Sequence, residues 1–146
     1  MLRGNYAAKI DDKARLKIPN AFRALVEKTH GSELFVTSLT GESVRIYPMP
    51  VWLALEERLT SAPSTHPSRN RFLDRVNYFG QTAEIDAQGR VLIHQRLRDS
   101  AGMAGEVEVL GAVDRLDVWN HDRLVAKMLS DPYTDDDARA LSELGI

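Results

Sequence analysis

One pattern of residues occurs twice in the chain, 75 positions apart, and this duplication constrains the fold more than any other feature. The two copies are residues 8–19 and 83–94. Each copy has an Asp, at Asp11 or Asp86, and an Arg four residues later, at Arg15 or Arg90. An aliphatic residue precedes each Asp, and two aliphatic residues follow each Arg at alternate positions. We therefore expect two similar halves built on the same local structure.

The spacing predicts a tight β-hairpin in each copy. If Asp11 lies opposite Arg15, alternate residues share a face and the pairing continues away from the loop. The expected pairs in the first copy are Ile10 with Leu16, Lys9 with Lys17, and Ala8 with Ile18. The loop then has three residues, and the last residue of such a loop usually has a positive φ. Gly89 suits this position, whereas the Cβ of Ala14 costs roughly 1 kcal/mol there.

The Asp and the Arg of each copy can pair across the base of the loop and fix the register of the two strands. Asp11, Asp86, Gly89 and Arg90 are therefore candidate motif residues that shape the hairpins. For the two aspartates, a purely structural role and a role in a binding site both stay open.

The composition is that of an ordinary soluble protein, with 146 residues, 43% of them hydrophobic, and a formal net charge of -2. This length is sufficient for one compact domain or two very small ones. The chain has no Cys, which excludes disulfides and thiolate metal sites and fits a reducing compartment. No apolar run reaches the roughly 18 to 20 residues of a membrane helix, and residues 1–5 lack the apolar core of a signal peptide. We expect a cytoplasmic protein with no membrane partner.

The small net charge conceals an uneven distribution. Residues 1–31 contain seven Lys or Arg and three acids, a net charge of +4. Residues 101–146 contain four Lys or Arg and ten acids, a net charge of -6. This split favours a polyanionic partner at the basic end and an acidic tail that stays away from it.

Turn and breaker residues divide the chain into four segments. These are a first repeat at 1–60, a linker and helix at 61–78, a second repeat at 79–129, and an acidic C-terminal helix at 130–146. The predicted helices are 21–29, 51–59, 69–78, 95–100, 121–128 and a last one ending at 144, with further hairpins at 34–47 and 106–119. Asn20 is expected to cap the first helix, and Thr134 with Asp137 to form a capping box on the last.

No set of residues has the spacing of a known catalytic or metal site. The four histidines are scattered, and there is no phosphate-binding glycine loop, Gly-x-Ser-x-Gly or His-Glu-x-x-His. The adjacent residues Asp135, Asp136 and Asp137 lie within one predicted helical turn and cannot converge well on one ion. These observations favour a binding protein, with no cofactor, metal or small-molecule substrate, over an enzyme.

Basic residues gather on the first copy of the pattern. We expect Lys9, Arg15 and Lys17 on the outer face of the first hairpin, Lys13 at its tip, and Arg3 further along its first strand. A two-stranded ribbon can enter the major groove of DNA, where Arg or Lys donates hydrogen bonds to guanine O6 and N7. The alternative is that this basic face is merely solvated.

The second copy lacks most of these cations. The replacements are Glu84 for Lys9, Gln88 for Lys13 and Leu92 for Lys17. We therefore expect the first copy to contact DNA and the second to act as a scaffold. Arg69, Arg71 and Arg75, on the helix after the linker, are interpreted as its solvated face, with a nucleic-acid role as the alternative.

The two Asp-x-x-x-Arg copies, the opening Met1-Leu2-Arg3-Gly4, and Ile46-Tyr47-Pro48 followed by Trp52 closely resemble the MraZ family. That family consists of bacterial transcriptional regulators of the AbrB-like swapped-hairpin class. The resemblance covers essentially the whole chain, and only Ala14, where the family usually has Gly, departs from its motifs.

The resemblance implies an α+β fold, mainly β, made of two tandem βαβ-type swapped-hairpin repeats in a pseudo-symmetric double-psi-like β-barrel with peripheral helices. It also implies a cytoplasmic, nucleoid-associated, ring-forming homo-oligomer. Such a protein binds short direct repeats in the promoter DNA of its own division and cell-wall operon, chiefly as a repressor, and its first hairpin faces the DNA. A ring would hold several basic patches over repeated sites and so raise the effective concentration of each later contact. The competing hypotheses are an oligomeric scaffold without DNA and a small enzyme, which would need a cavity that collects His or acidic residues.

Overall fold

The computed structural model describes all 146 residues and has an α+β fold with eight strands and six helices. The strands are β1 (Asn5–Lys9), β2 (Arg15–Lys17), β3 (Glu33–Thr37), β4 (Val44–Pro48), β5 (Gln81–Glu84), β6 (Arg90–Leu92), β7 (Glu106–Ala112) and β8 (Arg115–Asn120). The helices are α1 (Asn20–His30), α2 (Met49–Thr60), α3 (Pro67–Tyr78), α4 (Gln95–Ala101), α5 (His121–Ser130) and α6 (Asp135–Glu143). Every predicted helix is present, with its ends shifted by a few residues.

The strands form two antiparallel sheets. Six strands lie in the order β1-β7-β8-β4-β3-β5, and β2 pairs with β6 in a separate two-stranded ribbon. The α+β class is confirmed, as are the hairpins of β3 with β4 and of β7 with β8. Because β1 and β5 are the edges of the large sheet and do not pair with each other, no closed barrel is found.

The pairing predicted within the first copy is wrong beyond its first pair. Only Ile10 and Leu16 face each other, in an isolated bridge. Beyond that bridge β1 pairs with β7, which places Lys9 opposite Glu106. In the same way β2 pairs with β6, which places Lys17 opposite Arg90. A simple hairpin would have set Lys9 against Lys17, and like charges directly opposite each other are destabilising. The observed pairing still has one like-charged pair, Lys17 with Arg90, but it gains one favourable pair, Lys9 with Glu106.

The core lies between the ribbon, the inner face of the large sheet, and two short helices. Leu16 and Val91 face inward from the ribbon and are almost completely buried. Phe22 of α1 and Leu97 of α4 pack in the same cluster of 20 buried residues. Each helix therefore follows its ribbon strand directly and covers the same core, so the two copies of the pattern share one hydrophobic interior.

A smaller cluster fastens α2 and α3 to the outside of the large sheet. Trp52 of α2 stacks on Phe35 with ring centroids 4.4 Å apart and also contacts Tyr47. Val76 of α3 is buried in the same cluster, and its carbonyl oxygen accepts a hydrogen bond of 2.6 Å from the Thr37 hydroxyl. The helix after the linker is thus held against β3 and presents its other side to solvent.

Two predictions about helix ends have different outcomes. Asn20 does not cap α1: it is the first helical residue, and Pro19 occupies the cap position without a side-chain hydrogen bond. The fixed φ of Pro19 ends β2 and leads directly into the helix. The capping box at α6 is confirmed, because Thr134 and Asp137 each accept a backbone hydrogen bond from the other residue.

The C-terminal helices α5 and α6 bury none of their residues. Apolar side chains on and after them stay exposed, including Met128, Leu129 and Tyr133. No helix in the chain combines the length and apolar character that crossing a bilayer requires.

Candidate nucleic-acid interface

Asp11 organises the turn of the first copy. Its Oδ1 accepts hydrogen bonds of 2.9 Å from the backbone N–H groups of Lys13 and Arg15. Its Oδ2 accepts a bond of 3.1 Å from Nε of Arg15, which closes an ion pair across the base of the loop. A carboxylate that accepts three hydrogen bonds fixes both the loop and the direction of the arginine side chain.

Asp86 repeats this arrangement almost atom for atom. It accepts from the backbone N–H groups of Gln88 and Arg90 at 2.9 Å and from Arg90 Nε at 3.0 Å. The backbone N–H of Arg15 is the main group that lowers the pKa of Asp11, and that of Arg90 does the same for the pKa of Asp86. Hydrogen bonds to the ionised form favour that form, so both turns are built around a charged carboxylate.

The last residue of each loop has a positive φ, as predicted. The value is 65° at Ala14 and 78° at Gly89. Each of these residues also connects the copies: the Ala14 carbonyl accepts a bond of 3.0 Å from Ile93 N–H, and the Gly89 carbonyl accepts one of 2.9 Å from Ile18 N–H. The two turns therefore lie at opposite ends of the β2–β6 ribbon, each bonded to the strand of the other copy.

The outward face of the ribbon carries three cations and one apolar side chain. Since Leu16 and Val91 point into the core, the residues that flank them point away from it. On β2 these are Arg15 and Lys17, and on β6 they are Arg90 and Leu92, which is 55% exposed. We call these four residues the outer ribbon face.

The tip of the second copy is surrounded by cations from the first. Nζ of Lys17 donates to the carbonyl oxygen of Gln88, and Nη2 of Arg23 donates to that of Ala87 at 3.2 Å. Arg23 is also paired with Glu27 at 3.0 Å. Positive charge therefore also lies at the second copy, because cations of the first copy cover its loop and its own Arg90 lies beside them.

Both motif arginines keep donors free for a ligand. In Arg15 and Arg90, Nε donates to the Asp of the same copy, and the terminal Nη groups make no hydrogen bond within the chain. Their side chains are 28% and 26% exposed. A guanidinium held by Nε presents its remaining N–H groups in a fixed fork, which suits a guanine edge or a phosphate.

Only some of the predicted DNA-contacting residues gather at this face. Lys13 is exposed at the first turn, beside Arg15. Lys9 is exposed at the end of β1, but it lies opposite Glu106 and outside the ribbon. Arg3 lies beside Gly111 at the other end of β1, about 20 Å from Lys9 by strand rise.

Sequence reasoning missed two residues of this surface. Arg90 was expected to be structural only, because the sequence alone did not pair β2 with β6. Arg23 belongs to α1, for which the sequence predicts an apolar face of Phe22, Leu25 and Val26; Phe22 and Val26 are buried and Leu25 is exposed. Nothing in the sequence points the Arg23 side chain at the other copy.

The chain offers little that resembles a catalytic or metal centre. No three His, Asp or Glu side chains lie close enough together to hold a metal ion. An apolar cavity of about 210 Å³ between the N-terminus and α1 includes one imidazole and one carboxylate among its lining residues, those of His30 and Asp114. His94 instead contacts the Phe79 carbonyl oxygen at 2.6 Å and so ties the end of α3 to the start of α4.

Comparison with known proteins matches nearly the whole chain to one family. The family model described as "MraZ protein, putative antitoxin-like" matches residues 1–75 and 80–144. Relatives from Acidobacterium capsulatum and Koribacter versatilis are each 43% identical to this chain, and each alignment covers the full length of both proteins. A relative from Caldicellulosiruptor bescii is 33% identical, again over the full length of both chains. All three are named "Transcriptional regulator MraZ".

Proposed function

The chain belongs to the MraZ family, and from this premise we propose that it is a sequence-specific DNA-binding regulator of transcription that contacts DNA through the outer ribbon face. The names of its relatives indicate a regulator of transcription and point away from an enzyme. The proposal depends most on one observation, the cations of Arg15, Lys17 and Arg90 on the outward side of a two-stranded ribbon.

A ribbon of this kind suits the major groove of DNA. Two strands fit the groove, which is about 12 Å wide, and free guanidinium N–H groups can read guanine O6 and N7 there. Lys13 at the first turn and Lys9 at the end of β1 would then neutralise phosphates beside the groove. Arg3, at the far end of β1, would reach a phosphate only at a distance from this contact.

The finer arrangement that we propose is a pair of tandem swapped-hairpin repeats. Two pairings support it: β2 with β6, and β1 with β7, in place of a simple hairpin in either copy. In this arrangement Asp11, Asp86 and Gly89 shape the turns, while Arg15 and Arg90 both shape them and present N–H groups outward.

We further propose that the protein works as a homo-oligomeric ring at short direct repeats in the promoter of its own division and cell-wall operon, where it represses transcription in the cytoplasm, on the nucleoid. One ribbon makes few contacts, so repeated DNA would be selected by several ribbons held at fixed spacing. Exposed apolar residues on α5 and after it support self-association, since a monomer gains nothing from leaving Met128 and Leu129 in water.

The test uses the purified full-length protein and two labelled duplexes of equal length, the promoter region upstream of its own reading frame and a scrambled version. We expect tighter binding to the promoter, and a loss of affinity of about 10³ to 10⁵ between 50 and 200 mM salt if 6 to 10 phosphates are contacted. The double variant Arg15→Gln/Lys17→Gln should lose the preference for the promoter. A matched double variant at exposed arginines elsewhere, Arg58→Gln/Arg139→Gln, should retain it.

Equal affinity for the two duplexes, or an affinity that does not change with salt, would contradict the proposal. Binding to neither duplex would instead favour the second candidate, an oligomeric scaffold that does not bind DNA, which the exposed apolar residues of α5 also suit. Sedimentation of the protein alone distinguishes them further, because a scaffold would assemble fully while binding neither duplex.

A further inference from the structure

Helices α3 and α4 carry a second basic surface that the ribbon does not include. Together they contain five arginines and two aspartates, a net charge of +3. Nε of Arg69 donates to the carbonyl oxygen of Leu59, and Nε of Arg98 donates to that of Ile93. Arg71, Arg75 and Arg96 are exposed and make no hydrogen bond or ion pair within the chain.

Most of the other arginines have a partner within the chain, and Arg3 and Arg58 are the exceptions. Arg15, Arg23, Arg90, Arg115 and Arg139 are all paired with carboxylates. Asp74 and Asp99 are the acids on α3 and α4, and neither forms an ion pair. Arg71 and Arg75 stand one helical turn apart, where like charges repel, and Asp74, which lines the same depression as Arg75, makes no ion pair with either of them.

The three guanidiniums follow a line of shallow depressions that share residues. Arg71 and Arg75 line one depression beside Leu39, and Arg75 and Tyr78 line the next. Tyr78 and Arg96 line the third. From Arg71 to Tyr78 the helix rises about 10 Å, and Arg96 lies 4.5 Å from the centre of the Tyr78 ring. We call Arg71, Arg75 and Arg96 the arginine track.

Tyr78 fixes the end of this track. The Arg96 guanidinium lies over one face of its ring, and the ring meets Phe79 in an edge contact with centroids 4.9 Å apart. A cation held against an aromatic face keeps its N–H groups directed outward. The track therefore presents N–H groups that suit phosphates.

The track also lies close to the outer ribbon face along the chain. Arg96 is four residues after Leu92, so their Cα atoms are at most about 14 Å apart. That span is comparable with the width of the major groove, about 12 Å. A ribbon in the groove would therefore have the Arg96 end of the track within reach of the phosphates at the edge of the groove, with Arg75 and Arg71 further along α3.

We propose that the arginine track is a second DNA contact, which binds the phosphate backbone beside the groove that the ribbon enters. This inference rests on the proposed function and adds a contact that carries no sequence information, since phosphates are the same at every base pair. Its loss should weaken promoter and scrambled DNA equally. Loss of a ribbon cation that reads a base should instead reduce the preference between them.

The test measures affinity against salt for the double variant Arg71→Gln/Arg75→Gln on both duplexes. Each lost phosphate contact lowers the slope of log affinity against log salt by about 0.9, so we expect a decrease of about 2. Between 50 and 200 mM salt the variant should then lose about tenfold less affinity than the wild type does. Arg71→Lys/Arg75→Lys, which keeps the charges, should restore most of the slope, and Arg58→Gln/Arg139→Gln should leave it unchanged.

An Arg71→Gln/Arg75→Gln slope equal to that of the Arg58→Gln/Arg139→Gln control would overturn the inference while leaving the ribbon proposal intact. A change in sedimentation with no change in slope would also overturn it, by assigning the track to the acidic surface of a second copy. If wild-type protein binds both duplexes equally, the ribbon proposal fails and the track is still tested by the slope. Wild-type protein that binds neither duplex would overturn both.

Discussion

The two copies of the duplicated pattern have the same turn in different electrostatic surroundings. Asp11 and Asp86 accept equivalent hydrogen bonds, with lengths that agree within 0.1 Å. Around them the chain differs: Lys13 projects freely from the first tip, whereas Lys17 and Arg23 cover the second. The turn chemistry is thus set by the Asp-x-x-x-Arg spacing. The charge at the first tip comes from its own Lys13, and the charge at the second comes from cations of the first copy.

The same comparison explains why neither copy is a complete unit. Each ribbon strand has only three residues, and an isolated two-stranded hairpin is marginally stable at best. By pairing with each other, β2 and β6 place Leu16 and Val91 over one shared core. A surface that reads DNA through this ribbon would therefore be a property of both halves together.

The largest expected effect comes from breaking the shared core beneath the ribbon. Leu16→Ala should lower the free energy of unfolding by about 2–5 kcal/mol, because it leaves a cavity in a fully buried site. Denaturant titration followed by circular dichroism measures this loss. Leu92→Ala, on the exposed face of the partner strand, is the control and should change stability by less than about 0.5 kcal/mol. Equal losses in the two variants would show that the ribbon is not packed as described.

The next effect tests whether the two arginines are equivalent in binding. From the charge pattern alone, Arg15→Ala is expected to weaken DNA binding and Arg90→Ala mainly to harm folding or assembly. Their matching pairs with aspartate and similar exposure instead make us expect that both variants lose roughly 1–3 kcal/mol of binding to promoter DNA. Fluorescence anisotropy measures the affinities. Thermal unfolding of the same samples identifies a folding defect, and a loss confined to Arg15→Ala would restore the division between a reading copy and a scaffold copy.

The amino-acid sequence predicted the local structure well because its signals are local. The Asp11–Arg15 pair, the positive φ at Ala14 and Gly89, and the Thr134 capping box each involve residues within four positions of one another. All six helices follow from patterns of similarly short range, whereas the α+β class was implied by the family resemblance. The family could also be identified from the sequence, since the duplicated motif and the residues around Tyr47 extend over most of the chain.

The long-range pairing could not be predicted from the same signals. A strand such as Arg15–Lys17 has one apolar residue facing inward. From the pattern of residues alone, this strand could pair equally well with the segment that ends at Lys9 and Ile10 or with Arg90–Leu92. The choice depends on which partner buries Leu16 and avoids Lys9 beside Lys17, and that is decided in three dimensions. The pairing also decides which side chains share a surface, because Arg90 lies beside Lys17, and Arg23 reaches the second loop, only once β2 lies beside β6.

A smaller effect separates the last residues of the two loops. Gly89→Ala should lower stability by about 1–2 kcal/mol, since a Cβ at positive φ is strained and would meet the Arg23 and Lys17 side chains at 3.0–3.2 Å. Ala14→Gly should change stability by less than about 1 kcal/mol, because relief of strain and loss of a buried methyl group oppose each other. Thermal unfolding of both variants provides the comparison. A larger loss in Ala14→Gly than in Gly89→Ala would mean that the first loop, not the second, is the more crowded.

The smallest effect is a pH dependence that both turns should share. The pKa values of Asp11 and Asp86 are below the ordinary value of 3.8, so the ionised carboxylates stabilise the folded state at pH above 3.8. That contribution is lost as the pH falls below 3.8 and through the lowered pKa values, because the unfolded chain takes up protons first. Asp11→Asn and Asp86→Asn should therefore each be less stable than the wild type near pH 7 and lose less stability between pH 5 and 2. Urea titrations at several pH values measure this. Because the two turns make the same bonds, the two variants should flatten the curve to the same degree. A difference between them would show that the cations at the second tip, Lys17 and Arg23, also stabilise the Asp86 carboxylate.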